Sequence, residues 1–156
     1  MNIMTEIEKA YVACAIDTEG SIGFNLNNGK KKLYSYASRI QIANTKRKWL
    51  EYLRDTIGYG SIHLSGDPSL ATNGRKVGWN QCYQLTITSN QAGELLPALK
   101  PYLRLKHRQA ALVMKHMKFK RKPGGGAYSK KKKEALKKLY KKMQKLNKRG
   151  KCKEAS

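Results

Sequence analysis

A chain of 156 residues, 40% of them apolar, is sized for one domain with a modest core. Its 33 basic residues face only 10 acidic ones, a formal net charge of +23, which selects a polyanionic partner and disfavours a small-molecule metabolic pocket. Cys14, Cys82 and Cys152 lie far apart, without the clustered spacing of a disulfide framework or a zinc site.

Thr5 followed by Glu8 has capping-box spacing and starts a helix near residue 6. Ile7, Ala10, Tyr11 and Cys14 fall on one face of it, and Gly20 ends it. Residues 21–27 and 33–43 read as two strands around the polar turn Asn27-Asn28-Gly29-Lys30, Asn-Gly being a strong hairpin signal. A second helix fits residues 45–56, with Trp49, Leu50 and Leu53 apolar and Gly58 closing it. Strands at 59–65 and 78–88 follow, joined by a long turn-rich linker through Gly66 and Lys76. Ser89 or Asn90 caps a third helix that runs to Leu99, with Pro101 interrupting it. Residues 105–119 form a fourth, with Leu105, Leu112, Val113, Met117 and Phe119 as its apolar positions. Pro123-Gly124-Gly125-Gly126 breaks the chain. A last helix over residues 129–148 buries Leu136, Leu139, Tyr140, Met143 and Leu146.

The expected fold is α+β, in the order αββαββαα, with one antiparallel sheet and a basic C-terminal helix. Residues 1–156 read as a single domain, with its core at 6–120 and a basic extension at 121–156. No basic region followed by an apolar run opens the chain, and no apolar stretch approaches the roughly 18 residues of a membrane span. An intracellular protein is expected, cytoplasmic in a prokaryote or archaeon, or organellar.

Side chains alternate along a strand. Gly23, Asn25 and Asn27 share one face of the first strand, opposite Ile22, Phe24 and Leu26. Ser35, Ala37, Arg39 and Gln41 share the corresponding face of the second, opposite Tyr36, Ser38, Ile40 and Ile42. Leu85 and Ile87 turn inward and leave Gln84 and Thr86 outside. The outer face thus carries amides, hydroxyls and an arginine, which pair with base edges in a major groove. His63, Ser65 and, from the linker, Arg75 and Lys76 extend the expected DNA contact. Any half-exposed strand is polar outside. The wealth of amides on a strongly basic chain favours a DNA-reading sheet over a merely solvated one.

From Lys130 to Lys153 there are thirteen basic residues and one acidic, Glu134. A solvated amphipathic helix accounts for that pattern, and so does phosphate contact beside a DNA site, with Lys130 and Lys131 the first of the contacts. Such lysines position a protein on a duplex without reading bases.

The most specific feature is Val12-Ala13-Cys14-Ala15-Ile16-Asp17-Thr18-Glu19-Gly20, followed by Ser21-Ile22-Gly23-Phe24. It resembles the LAGLIDADG motif of homing endonucleases. Ala13, Ile16, Asp17 and Gly20 match the motif's letters, and Glu19 keeps its essential acid; Val12, Cys14, Ala15 and Thr18 depart from it. Ile57-Gly58-Tyr59-Gly60 resembles the family's glycine-containing approach to the strand after its second helix. Leu99-Lys100-Pro101-Tyr102-Leu103-Arg104-Leu105-Lys106-His107-Arg108-Gln109 resembles the segment that ends in its active-site lysine.

The resemblance implies a saddle-shaped sheet and the single-motif, intron-encoded group whose members are homodimers. It implies a site-specific endonuclease that hydrolyses both strands of DNA at a long near-palindromic site and so promotes intron homing. A helix C-terminus carries partial negative charge on its free carbonyls. Glu19 and the backbone carbonyl of Thr18 would there make an oxygen site for Mg2+, or Mn2+, bound at the dimer axis with DNA. By the same resemblance Lys106 is the active-site lysine, and Asn44 and Arg47 order solvent near the cut, although Asn44 equally suits a helix cap. Asp17 is expected to be a structural helix-end residue. Ala10, Ala13 and Cys14 are the expected dimer interface, small enough for close helix approach. No organic cofactor and no membrane partner are implied. The alternative is an RNA-binding maturase-like or ribosomal-type protein that does not cleave.

Overall fold

The computed structural model describes residues 2–28, 34–66, 81–119 and 129–148. Among them five helices and four strands run in chain order: α1 (Glu6–Glu19), β1 (Gly20–Asn28), β2 (Tyr34–Asn44), α2 (Arg47–Ile57), β3 (Ser61–Gly66), β4 (Cys82–Thr88), α3 (Ser89–Leu99), α4 (His107–Met117) and α5 (Lys130–Asn147). This is the expected αββαββαα order followed by the C-terminal helix. Of the expected turn Asn27-Asn28-Gly29-Lys30, Asn27 and Asn28 belong instead to β1, which pairs with β2 through them; Gly29 and Lys30, most of the linker between β3 and β4, and the break at Pro123 lie outside the described residues.

Local chemistry sets the helix ends. Glu8 donates its backbone N–H to Thr5 Oγ1 at 3.3 Å, and its carboxylate accepts the Thr5 N–H at 2.7 Å, a reciprocal cap that satisfies two free donors. Gly58 closes α2 at φ +88°, with its N–H donating to the Arg54 carbonyl at 2.8 Å. Asn2 occupies the space that a Cβ at Gly58 would fill, so this left-handed turn requires glycine twice over. The start of α2 is two residues later than expected, because Asn44 Oδ1 accepts the Lys46 N–H at 2.9 Å and holds a turn there. The N-cap of α3 is Thr88, one residue before the expected Ser89, and its side chain makes no capping bond. The start of α4 is His107, so Leu105 precedes the helix and is 70% exposed, outside the apolar set assigned to it.

The strands form one open antiparallel sheet in the order β1-β2-β4-β3. Its inner face carries Ile22, Ile40, Ile42, Leu85 and Ile87, all fully buried, and α1, α2, α3 and α4 pack against the strands. Burying an apolar side chain of this size contributes about 1.5–3 kcal/mol, so the alternation read from the sequence is also a source of cohesion. Ser38 interrupts that face, and its hydroxyl donates to the Ser89 carbonyl at 3.1 Å, which meets the requirement that a buried polar group be paired.

The last helix docks on the free edge of the sheet. Leu136 and Met143 of α5 are buried, Leu139 and Tyr140 half-buried; Leu146, expected inside, is 37% exposed in the last turn, at the flank of the buried stripe. Tyr140 meets Tyr36 with ring centroids 5.1 Å apart. No helix among the described residues is long and apolar enough to cross a membrane.

Candidate active centre and nucleic-acid interface

The helix α1 runs straight into β1, so Glu19 stands at the junction of a helix C-terminus and the sheet. Its side chain is exposed. In the last turn of any helix the final carbonyls lack intrahelical donors, and the Thr18 carbonyl belongs to that turn, one residue before Glu19. The Thr18 hydroxyl is turned back onto the Cys14 carbonyl at 2.9 Å.

Lys106 reaches the same place from a distant part of the chain. Its Nζ donates to the main-chain carbonyl of Asp17, and its backbone N–H donates to Asp17 Oδ1 at 2.9 Å. Burial pushes the Lys106 ammonium below the usual lysine range, while the charges of Asp17 and Glu19 pull it back. The geometry therefore gathers a cation, a carboxylate and helix-end carbonyls at one point. Asp17 is a structural residue in the sense expected, but its partners are the backbone of residues 104–106 rather than its own helix.

Asn44 and Arg47 lie at the same end of the sheet. Gly20 pairs with Ile42, so Asn44 is just beyond the level at which α1 delivers Glu19. Their polar groups are engaged locally. Asn44 holds the turn into α2, and Arg47 Nε donates to Glu51 at 2.9 Å while its guanidinium lies 5.7 Å from the Tyr83 ring centre.

The outer face of the sheet is laid out by the register. Ser21, Gln41, Thr86 and Ser61 form one row across all four strands; Ala43, Gln84 and His63 form the next; Gly23, Arg39 and Thr88 form a third. The side-chain amide of Gln41 donates to Gln84, and Thr86 lies 3.4 Å from His63 Nε2. Ser65 donates to the Cys82 carbonyl at 3.1 Å. Asn25 pairs with Ala37 one row further out, and Asn27 with Ser35 beyond it. The side chains of Asn27 and Ser35, and the whole of Arg75 and Lys76, lie outside the described residues.

Two residues of this face were not legible from the sequence. Gln144 and Asn147 of α5 border a cleft that Ser21, Gly23, Arg39 and Gln41 line from the sheet side. Burial there lowers the Arg39 guanidinium from its ordinary value. Gly23 has no side chain, and Asn147 passes over it. The only hint in the sequence is that Gln144 and Asn147 are amides within a lysine run. The nine lysines of α5, Lys130 and Lys131 among them, are all exposed.

On α1 there are two apolar faces. Val12, Ala13, Ala15 and Ile16 are buried within the chain. Ala13 is fully buried there, so of the three small residues assigned to a dimer interface only Ala10 and Cys14 lie on the outward face. That face continues through Ile3, Ile7 and Tyr11, which are 102%, 83% and 44% exposed. Tyr11 stacks edge-on against Tyr52 at 5.8 Å and accepts the Trp49 indole N–H at 2.7 Å.

Glu19 and the adjacent carbonyls are hard oxygen donors, the chemistry that a Mg2+ ion takes. Among the described residues no group of three or more histidine, cysteine or acidic side chains gathers into a metal cluster. Glu19 and one neighbouring carbonyl do not by themselves fill the coordination shell of such an ion.

No protein-family model and no curated protein sequence matches the chain. Solved structures do. The homing endonuclease I-CvuI, in complex with its target, superposes with a TM-score of 0.68 at 20% identity, over 96% of this chain and 87% of that one. The archaeal intron-encoded homing endonuclease I-Vdi141I, complexed with DNA, gives 0.72 at 16% identity, over 96% of this chain and 90% of that one. The LAGLIDADG meganuclease I-AabMI, bound to uncleaved DNA, gives 0.57 at 22% identity, over 89% of this chain but 42% of that one. At these identities the likeness is one of architecture, and the chain has the fold of the LAGLIDADG homing endonucleases.

Proposed function

We propose that this protein is a site-specific endonuclease that hydrolyses both strands of duplex DNA as a homodimer. The observation that carries the reading is the meeting of Lys106 with the end of α1 beside Glu19, at the margin of an amide-rich sheet face. A cation, a carboxylate and helix-end carbonyls at one point suit a phosphodiester, whose charge grows in the transition state. The +23 charge supplies the attraction to a polyanion.

Glu19 and the Thr18 carbonyl would hold Mg2+, which when bound supplies polarisation of the phosphate and an activated water. Lys106 offsets charge on the phosphate. Asn44 and Arg47 border the site and order solvent. Gln41, Gln84, Thr86, Arg39, Asn25 and His63 read base edges, and the lysines of α5 hold phosphates. The outward apolar stripe of α1 joins two copies across a twofold axis, which brings two Glu19 residues to one centre and calls for a near-palindromic site. I-AabMI, at more than twice the matched length, has room for two such units in one chain.

The test is selection of cleaved molecules from a randomised duplex library in Mg2+, with EDTA as control. The reading expects one family of long near-palindromic sequences, cut on both strands only with the cation. Binding of structured RNA in preference to duplex, with no cleavage, would instead identify a maturase-like or ribosomal-type binder.

A further inference from the structure

The carboxylate of Asp17 belongs to α1 but serves another part of the chain. It is 7% exposed. Oδ2 accepts the backbone N–H of Arg104 at 2.6 Å and of Leu105 at 3.1 Å, and Oδ1 accepts that of Lys106 at 2.9 Å. These amides immediately precede α4, and Lys106, its N-cap residue, makes no side-chain cap of its own. Asp17 therefore caps α4 from outside, with a negative group at the positive end of a helix dipole.

On either side of this contact the segment is held by Leu103, buried in the core, and by His107, whose Nδ1 lies 2.9 Å from the Arg104 carbonyl. Arg104 and Leu105 are exposed as residues, but their backbone N–H groups turn inward onto the buried Asp17 carboxylate. What these bonds determine is where the backbone of residue 106 stands, and with it the root of a side chain with four rotatable bonds. Lys106 Nζ then returns to the carbonyl of Asp17 itself. One residue thus grips the lysine at both ends, two positions before Glu19. The length of aspartate matters, because both oxygens must meet successive N–H groups. An asparagine would present its own N–H toward one of them.

We propose that Asp17 is a positioning residue that acts through Lys106, setting the ammonium beside Glu19. The proposal rests on the endonuclease reading above. It is tested with the wild-type protein, Asp17→Asn, Lys106→Met and the double variant, using the duplex selected from the library. Single-turnover cleavage by Asp17→Asn should fall about 100-fold, the scale of a misplaced catalytic group, with Kd for the duplex unchanged. The double variant should be no slower than Lys106→Met alone, since the two substitutions remove one function. Asp17→Glu, which keeps both acceptors, should recover part of the rate, and it replaces the asparagine variant in the cycle if that protein does not fold. Multiplicative losses in the double variant, or a loss explained by weaker binding, would overturn the proposal. Amide hydrogen exchange supplies an arm independent of cleavage: protection at Arg104, Leu105 and Lys106 should be lost in the asparagine or glutamate variant that folds, to a greater degree in the former, while α1 and the sheet stay protected. Unchanged protection contradicts the proposal. A wild-type protein that leaves every duplex intact removes the endonuclease reading, and the exchange arm still decides whether Asp17 holds this segment.

Discussion

Asn147 Nδ2 donates to the main-chain carbonyl of Ile22 at 2.8 Å, tying the end of α5 to the edge strand of the sheet. An edge strand with unpaired backbone groups invites pairing with another chain, and here a helix covers part of it. Gln109 donates to the same asparagine at 3.4 Å, so α4, α5 and β1 meet at one amide. Asn147→Ala should lower stability by about 0.5–1.5 kcal/mol, the net worth of such a bond, read as a lower urea midpoint at unchanged slope.

The exposed lysines of α5 give a prediction in salt. Replacing Lys137, Lys138, Lys141 and Lys142 with glutamine leaves the buried Leu136 and Met143 in place and should not unfold the chain. Each lysine that contacts a phosphate contributes about 0.9 to the slope of log K against log salt. The fourfold variant should bind duplex more weakly at every sequence and with a shallower slope, measured by fluorescence anisotropy across a salt series. An unchanged slope would mean that this helix stands clear of the duplex.

The outward face of α1 predicts assembly. Ile7 is 83% exposed and belongs to no buried cluster among the described residues. Ile7→Glu should leave the fold intact but place two charges across a twofold contact. Sedimentation should then show a dimer for the wild type and a monomer for the variant, and cleavage should fall with the dimer. A variant that remains a dimer would place the interface elsewhere.

Tyr59 donates its hydroxyl to the Gln91 carbonyl at 2.9 Å. Burial first, and the nearby charge of Glu94 second, push its pKa up to about 12. The folded state therefore favours the neutral phenol, so this contribution is fully present below the ordinary value of 10.0 and is lost as pH rises from there through about 12. Tyr59→Phe should be less stable at neutral pH by about 1 kcal/mol, the worth of the hydrogen bond. The gap between the two proteins should close across that alkaline window in urea titrations.

What could be read in advance was what neighbours in sequence decide. Thr5 and Glu8 are three residues apart, Gly58 follows its helix directly, and the alternation of Ile40, Ser38 and Gln41 needs only a strand. Glu19 stood out because it is the acid of a motif, one residue before the closing Gly20. Contacts between distant segments were not. Asp17 looks like a helix-end acid until Arg104, Leu105 and Lys106 are brought to it. Met143 and Leu136 announce an apolar stripe on α5 without saying that it docks on β1 and carries Asn147 over Gly23. Ile7, Tyr11 and Cys14 show helical spacing, but α1 has apolar residues on both sides, and periodicity does not say which side the core takes. Leu105 and Leu146 fit their helical patterns and are nonetheless exposed.

The measurement that bears most directly on the proposed activity is cleavage and binding of the selected duplex by Glu19→Gln beside the wild type, in Mg2+. The substitution keeps the size of the side chain and removes its charge, and Glu19 is exposed, so the fold should be untouched. The account predicts that the variant binds the duplex at least as tightly as the wild type and cuts neither strand. A variant that cleaves at the wild-type rate would contradict it.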